Sequence, residues 1–379
     1  MKRVLFYTDS PGLGGAEKQM LLLAKNLRSF GYQPSLAYGK YAKIEKMRNE
    51  FEKHCEEVLV LPAIHKHDPR HYSALKRILD HQNFDLIHIH LWNPGSCRYA
   101  FFAADHSGVP IVTTEHDYFE LRGLKKVIKK NCLKKVRQSV VINVDNMSSL
   151  VQHYEIAESR VNSIHNGIDP MPFLDSVSNR SWTTMDNMSS KNWADFGLKN
   201  IKNNDVVITC VAEMHSRKGQ EYLIKAFQKL DLKSPRFQLV LVGVGPNEIA
   251  LKRRYVDDPQ IHFMGWQNDI PKILQNTDIL VLPSLKEAFG LVLLEAMVSG
   301  VITISTDKGG NVDFVKHKQT GYLVPPKDPK AIMDAIVDII RHPDQKAEIE
   351  ARAREMALSK FTDKAMTKQY VEVYNDVII

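Results

Sequence analysis

Two glutamates eight positions apart, Glu287 and Glu295, are the residues of this chain whose type and spacing most directly suggest chemistry. Between them run Ala288-Phe289-Gly290-Leu291-Val292-Leu293-Leu294, and before them stands Ile279-Leu280-Val281-Leu282, closed by Pro283 and Ser284. A short apolar run ended by a turn signal predicts a buried strand. Beyond Gly290 the pattern is helical as far as Gly300, a C-terminal stop. One carboxylate therefore falls on a strand-to-helix loop, and the other about two turns into the helix. Such loops are where open α/β sheets take their ligands, because free N–H groups at a helix N-terminus meet anions or hydroxyls there. Glu295 has apolar neighbours, and a carboxylate among them is costly unless it is paired or hydrogen-bonded. A vicinal diol such as a ribose would suit it. The plain alternative is a pair of carboxylates that cap a helix and solvate a loop.

Three other clusters offer chemistry. His215-Ser216-Arg217-Lys218-Gly219 lies between an apolar strand and a helix at 221–230, so Lys218 can face a diphosphate as a point charge, or the cluster is an exposed basic turn. Pro11-Gly12-Leu13-Gly14-Gly15-Ala16-Glu17 joins the strand Val4-Leu5-Phe6-Tyr7 to an amphipathic helix, a layout that brings backbone close to a phosphate. It has neither the Gly-x-Gly-x-x-Gly spacing nor a Walker lysine, and a tight turn with positive φ would explain it equally well. His88 and His90 share one face of a predicted strand by period two, but no third ligand has matching spacing, which argues against a metal. His116 closes the next strand.

The elements that must position these residues alternate. In the first half, strands are predicted at 35–38, 57–61, 85–90, 110–114 and 139–143, with helices near 71–81, 95–106 and 145–154. A second series of strands falls at 205–212, 238–243, 261–264, 279–282 and 301–305. Strands alternating with helices give parallel, doubly wound sheets, here two of them. Pro170 and Pro172 break the chain between the series, a polar stretch at 175–204 reads as a loop with a short helix near Trp193, and 361–379 is helical. The length of 379 residues suits two or three domains.

The net charge of +7 points to an anionic partner. The four cysteines show no Cys-x-x-Cys spacing and read as reduced thiols of a cytoplasmic protein. No signal peptide and no membrane-spanning run is expected. Between Arg122 and Arg137 lie Lys125, Lys126, Lys129, Lys130, Lys134 and Lys135 without an acid, interleaved with Leu124, Val127, Ile128, Leu133 and Val136. This predicts a basic amphipathic helix that either solvates one face or docks on an anionic membrane surface through Lys125, Lys126, Lys129 and Lys130. No aromatic residues interleave, which disfavours nucleic acid.

Taken together, the glutamate pair around Phe289-Gly290, Lys218-Gly219, Gly14-Gly15-Ala16-Glu17, Asn166-Gly167-Ile168-Asp169 and Gly309-Gly310-Asn311-Val312-Asp313 resemble, in order, the motifs of the family 4 (group 1) glycosyltransferases. The resemblance spans nearly the whole chain. It implies the GT-B fold, two Rossmann-like domains facing each other across a cleft. The implied domains are 1–168 on the acceptor side, 169–360 on the nucleotide-sugar donor side, and a helix at 361–379 crossing back. It also implies transfer of a sugar, with retention, from a nucleotide donor such as a UDP-sugar to an acceptor hydroxyl, lipid-linked or carbohydrate, in surface polysaccharide or glycolipid assembly. His116 and Glu287 then face the reacting sugar. Gly14, Gly15, Arg217, Lys218, Phe289, Gly290, Leu291 and Glu295 bind the donor. No cofactor and no metal is implied. One departure is Glu213, where the family usually has arginine; Arg217 is then expected to supply the missing charge, with Glu213 paired to a base. An epimerase or phosphorylase on the same fold, or a non-catalytic anion-binding protein, are the other readings.

Overall fold

The computed structural model describes residues 1–174, 191–230 and 236–378. The chain forms two compact units, Met1–Gly167 with Phe361–Ile379, and Ile168–Lys360. The polar loop expected from 175 lies outside the described residues as far as 190, and a 3₁₀ turn, Trp193–Phe196, follows it.

The first unit is built on seven strands, β1 (Lys2–Thr8), β2 (Tyr32–Gly39), β3 (Val58–Leu61), β4 (Leu86–Leu91), β5 (Ile111–Glu115), β6 (Gln138–Val141) and β7 (Val161–Ser163). They lie in the order β3-β2-β1-β4-β5-β6-β7, every pair parallel. The second unit has β8 (Val206–Val211), β9 (Phe237–Val242), β10 (Ile261–Gly265), β11 (Ile279–Leu282), β12 (Ile302–Thr306) and β13 (Tyr322–Val324), in the order β10-β9-β8-β11-β12-β13 and again all parallel. Two doubly wound α/β sheets are thus the observed fold class. Strands such as β4 and β11 are buried at every residue, as a sheet with helices on both faces requires.

Helices are placed by their apolar stripes. In Gly15–Leu27 the residues Met20, Leu23, Ala24 and Leu27 are buried, at the spacing of one helix face. The last helix, Asp363–Val377, packs Met366, Tyr370, Val373 and Tyr374 into the core formed with Val4, Phe6 and Leu36. Its polar ties include Asn26 Nδ2 donating to Asp363 Oδ2 at 2.8 Å and Tyr32 OH donating to Asn375 Oδ1 at 2.7 Å.

The basic helix, Gly123–Lys134, corrects one expectation. Lys129 does not face a membrane: it is 4% exposed and forms an ion pair with Glu115, which is fully buried at the end of β5. An unpaired carboxylate there would carry a large desolvation cost, so Glu115 decides which face of the helix turns inward. Leu124 and Val127 are left 75% and 54% exposed as a consequence. Lys130 pairs with Glu155 at 2.7 Å on the surface. Among the described residues no helix is long and apolar enough to cross a membrane.

Candidate active site

In the second sheet the direction of winding reverses between β8 and β11, which are neighbours. In open α/β sheets the C-terminal ends of the strands at such a reversal border the usual ligand crevice. The loop leaving β8 carries Glu213 to Gly219, and the loop leaving β11 carries Ser284 and Glu287. The two loops meet in an ion pair: Lys218 Nζ lies 2.6 Å from Glu287 Oε2, and both side chains are largely buried. Ser284 Oγ donates to the same oxygen at 2.9 Å. The residues are 69 apart in sequence, so the sheet order alone brings them together.

Two glycines make that approach sterically feasible. Gly219 has φ +70°, and a Cβ there would lie 2.1 Å from the carbonyl oxygen of Pro283, so only glycine lets the Lys218 turn rest on the end of β11. Gly309 has φ +94°, and a Cβ would lie 2.0 Å from the Glu287 carbonyl oxygen. That oxygen accepts from the Gly310 N–H at 3.2 Å. The floor is completed by Thr306 Oγ1 donating to the Ser284 carbonyl at 2.6 Å and by Asn311 Nδ2 donating to Ser305 Oγ at 2.7 Å. Thr306 escapes sequence reading, Ser284 is visible only as the turn just ahead of Glu287, and Asn311 only as part of the Gly309-Gly310 motif.

Gly290, with φ +85°, caps the helix Leu291–Val298, on whose second turn Glu295 sits half-buried. The Phe289 ring is buried against Phe314, with centroids 5.1 Å apart. Arg217 pairs with Glu213 at 3.1 Å, both half exposed. The cation that masks Glu213 is therefore Arg217 itself. The arrangement presents two compensated ion pairs, one sheltered and one exposed, beside a helix N-terminus. An anion arriving there can draw lysine away from its carboxylate and free that carboxylate to accept from a hydroxyl.

In the first unit the reversal lies between β1 and β4. Gly14 there is extended, with φ −159°, so the turn does not need positive φ; its N–H donates to Glu17 Oε2 at 2.7 Å, ahead of the helix that starts at Gly15. His116 follows β5 and is 7% exposed. Its Nε2 lies 3.0 Å from Nδ1 of His90, and the planes of the two rings are 16° apart. His88 stands next to His90 on β4, with ring centroids 4.0 Å apart. His88 is held by Tyr374 OH at 2.6 Å and Thr114 Oγ1 at 2.8 Å. Burial holds all three imidazoles below their ordinary value, His116 down to about 4. Among the described residues no group of three or more His, Cys, Asp or Glu is gathered to hold a metal ion.

The neutral histidines set a pH dependence. Each binds a proton in the unfolded chain near pH 6.5 and resists it in the folded one, so stability is full above about pH 6.5 and falls as pH drops toward 4. His116 alone should account for on the order of 2 kcal/mol by pH 5. Melting curves at pH 7 and pH 5 check this: the gap should narrow in His116→Asn, and an unchanged gap would contradict it.

Comparison with known proteins follows the same division. Residues 13–171 match the family model described as Glycosyltransferase Family 4, and residues 192–356 match Glycosyl transferases group 1. N-acetyl-alpha-D-glucosaminyl L-malate synthase of Bacillus anthracis is 25% identical over 314 residues, 81% of this chain and 78% of that protein. UDP-Gal:alpha-D-GlcNAc-diphosphoundecaprenol alpha-1,3-galactosyltransferase of Escherichia coli is 26% identical over 286 residues, 72% of this chain and 70% of that protein. HepE of Anabaena, solved with UDP, shares the fold with a TM-score of 0.80 at 20% identity, covering 99% of this chain and 100% of that one. With both halves matched in order and the fold shared end to end, this chain belongs to the family 4, group 1 glycosyltransferases, enzymes that transfer glycosyl groups on the GT-B fold.

Proposed function

We propose that this enzyme moves a sugar from a uridine diphosphate donor to an acceptor hydroxyl, with the donor's diphosphate and ribose held by the second unit. The observation that carries this reading is the Lys218–Glu287 ion pair at the strand-order reversal. HepE was solved with UDP and with UDP-glucose, and the Escherichia coli relative is named for a UDP-linked donor and a lipid-diphosphate acceptor, which supports the same donor class.

Each residue has a role in this reading. The diphosphate takes Lys218 as its counter-ion. As the bond from the anomeric carbon to the diphosphate oxygen breaks, charge grows on the leaving oxygen, and Lys218 with the helix N-terminus at Leu291 stabilises it. The backbone amides of Phe289, Gly290 and Leu291 face the donor. Glu287, released from Lys218, positions the sugar and opposes the positive charge that develops on its ring. Glu295 holds the ribose diol. Arg217 adds charge at the diphosphate after leaving Glu213, an exposed pair whose loss costs no more than about 1 kcal/mol. Gly14 and Gly15 offer backbone to the donor, and His116 orients the sugar. The acceptor oxygen forms the new bond to the anomeric carbon and passes its proton to the leaving diphosphate oxygen, with retention as the family resemblance implies. Because lysine and helix end do the work of a cation, no divalent metal is required.

The test is a thermal-shift screen of nucleotide sugars with and without EDTA. A UDP-sugar should raise the melting temperature by mass action in both conditions. No shift with any nucleotide sugar would overturn the donor reading, and a shift abolished by EDTA would overturn the metal-free one. We further propose that the acceptor is reached at an anionic membrane surface, which the exposed Leu124 and Val127 beside Lys125, Lys126 and Lys130 favour. Anionic vesicles should then bind the enzyme at low salt and release it at high salt; indifference at low salt would end that reading.

A further inference from the structure

The two oxygens of the Glu287 carboxylate are used differently. Oε2 takes both donors, Lys218 Nζ at 2.6 Å and Ser284 Oγ at 2.9 Å. Oε1 accepts from none of the described residues, and it is not one of the buried unpaired atoms of the fold. It is therefore the oxygen that an arriving hydroxyl can reach. The two donors on Oε2 also differ in kind. Lys218 is a charge on a flexible four-carbon stem, and a diphosphate competes for it. Ser284 is fully buried and cannot follow. Its carbonyl accepts from Thr306 Oγ1 at 2.6 Å, and the Pro283 carbonyl just before it rests against Gly219, where a Cβ would come within 2.1 Å. Thr306 is tied in turn, since its carbonyl accepts from Asn311 Nδ2. β11 and β12 are in register here, with Leu282 opposite Ser305, so the sheet sets where the Ser284 hydroxyl stands. An ionised carboxylate only accepts, so the single hydroxyl proton of Ser284 points to it.

We propose that Ser284 is a positioning residue for the transfer reaction: it keeps Glu287 oriented through Oε2 while Lys218 leaves for the diphosphate, so that Oε1 meets a hydroxyl of the donor sugar. Departure of Lys218 strips Glu287 of its counter-ion in a largely buried setting, where a carboxylate needs hydrogen bonds. The Ser284 contact then becomes a charge-assisted bond to an uncompensated carboxylate, the strong kind. Without it the carboxylate turns about its own side-chain torsions, and Oε1 loses its aim. Every group in this arrangement belongs to the second unit. The proposal rests on the reading that Glu287 positions the sugar, and it adds Ser284, with Thr306 and Asn311 behind it, as the fixed point that makes Glu287 effective.

The experiment uses the full chain and compares Ser284→Ala, Ser284→Cys, Ser284→Thr, Glu287→Gln and the double variant Ser284→Ala/Glu287→Gln. UDP-glucose is the donor probe, and release of UDP is the readout. Ser284→Ala should lower kcat on the order of 10- to 100-fold, the worth of a hydrogen bond to a charged group, with little change in donor KM. Ser284→Cys fills the same space with a weak donor and should stay impaired. Ser284→Thr keeps the hydroxyl and should recover most of the loss; if its extra methyl lowers the melting temperature, alanine and cysteine still decide. The double variant should fall within about threefold of Glu287→Gln alone, because the two residues act as a unit. Wild-type turnover in Ser284→Ala beside an impaired Glu287→Gln would overturn the proposal and leave the reading of Glu287 standing. Full recovery in Ser284→Cys would overturn it too, since only volume would then matter. Near-normal turnover in Glu287→Gln would remove the reading of Glu287 and the proposal together. Titration with UDP reads the Lys218 site by itself, so a failed donor site would show separately.

Discussion

Glu287→Gln is expected to lower turnover by on the order of 100-fold or more, while the donor KM stays level or falls. Glutamine keeps the shape and can still accept from Ser284, whose Oγ lies 2.9 Å from the carboxylate in the wild type. What it cannot do is compensate Lys218 or oppose positive charge on a sugar ring. In the free wild-type enzyme the ammonium is neutralised by Glu287 at 2.6 Å, and a diphosphate must displace that partner before it binds. In the variant the ammonium lacks its counter-charge, so the diphosphate meets no competitor. Binding is then helped while the chemical step is harmed, and this split distinguishes loss of transition-state charge from loss of the fold. Steady-state kinetics against a UDP-sugar reads both parameters. Near-normal turnover would show that Glu287 is only the keeper of Lys218.

Lys129→Ala should cost about 3–5 kcal/mol of stability, the scale for removing one partner of a buried ion pair. Glu115 is fully buried, one of its oxygens has no other partner, and Lys129 is the cation against it. Without that cation the carboxylate must either stay charged in an apolar setting or take up a proton. The double variant Lys129→Met/Glu115→Leu, which removes both charges at similar volume, should regain most of the loss, because a buried pair adds little net stability over apolar packing. Urea unfolding, read together with hydrogen exchange at the β5 amides, measures all three proteins. A loss in Lys129→Ala of no more than about 1 kcal/mol, the size of a surface pair, would contradict the buried assignment.

These two sites show what the sequence makes legible. Buried parallel strands such as β11 and β4 announce themselves because both faces are covered, so apolar runs appear without alternation. The short strand β13 does not: Tyr322–Val324 reads as the turn after Thr320-Gly321, and it becomes a strand only by pairing with Ile304 to Thr306 on β12. The helix Gly123–Lys134 is recognisable, but its orientation is not. Counting lysines and leucines gives a wet face and a dry one, whereas a single glutamate 14 residues upstream pulls Lys129 inside. At the site, Glu287, Glu295 and Lys218 are visible as motifs, but their contact is set by β8 lying beside β11. The pairing of His116 with His90 is hidden for the same reason. His88 and His90 stand out by period two, yet their third neighbour arrives only through the register that sets His90 opposite Thr114.

The claim that the crevice between β8 and β11 holds the diphosphate of a nucleotide sugar is tested most directly by calorimetric titration of UDP into the wild type and into Lys218→Ala, in buffer containing EDTA. Lys218 is a turn residue whose side chain pairs with Glu287, so its removal should leave the sheet intact. The wild type should bind one UDP per chain, and Lys218→Ala should bind it at least about tenfold more weakly, the loss expected for one charge-assisted contact. Equal affinity in the two proteins, at the same ionic strength, would mean that the diphosphate lies elsewhere.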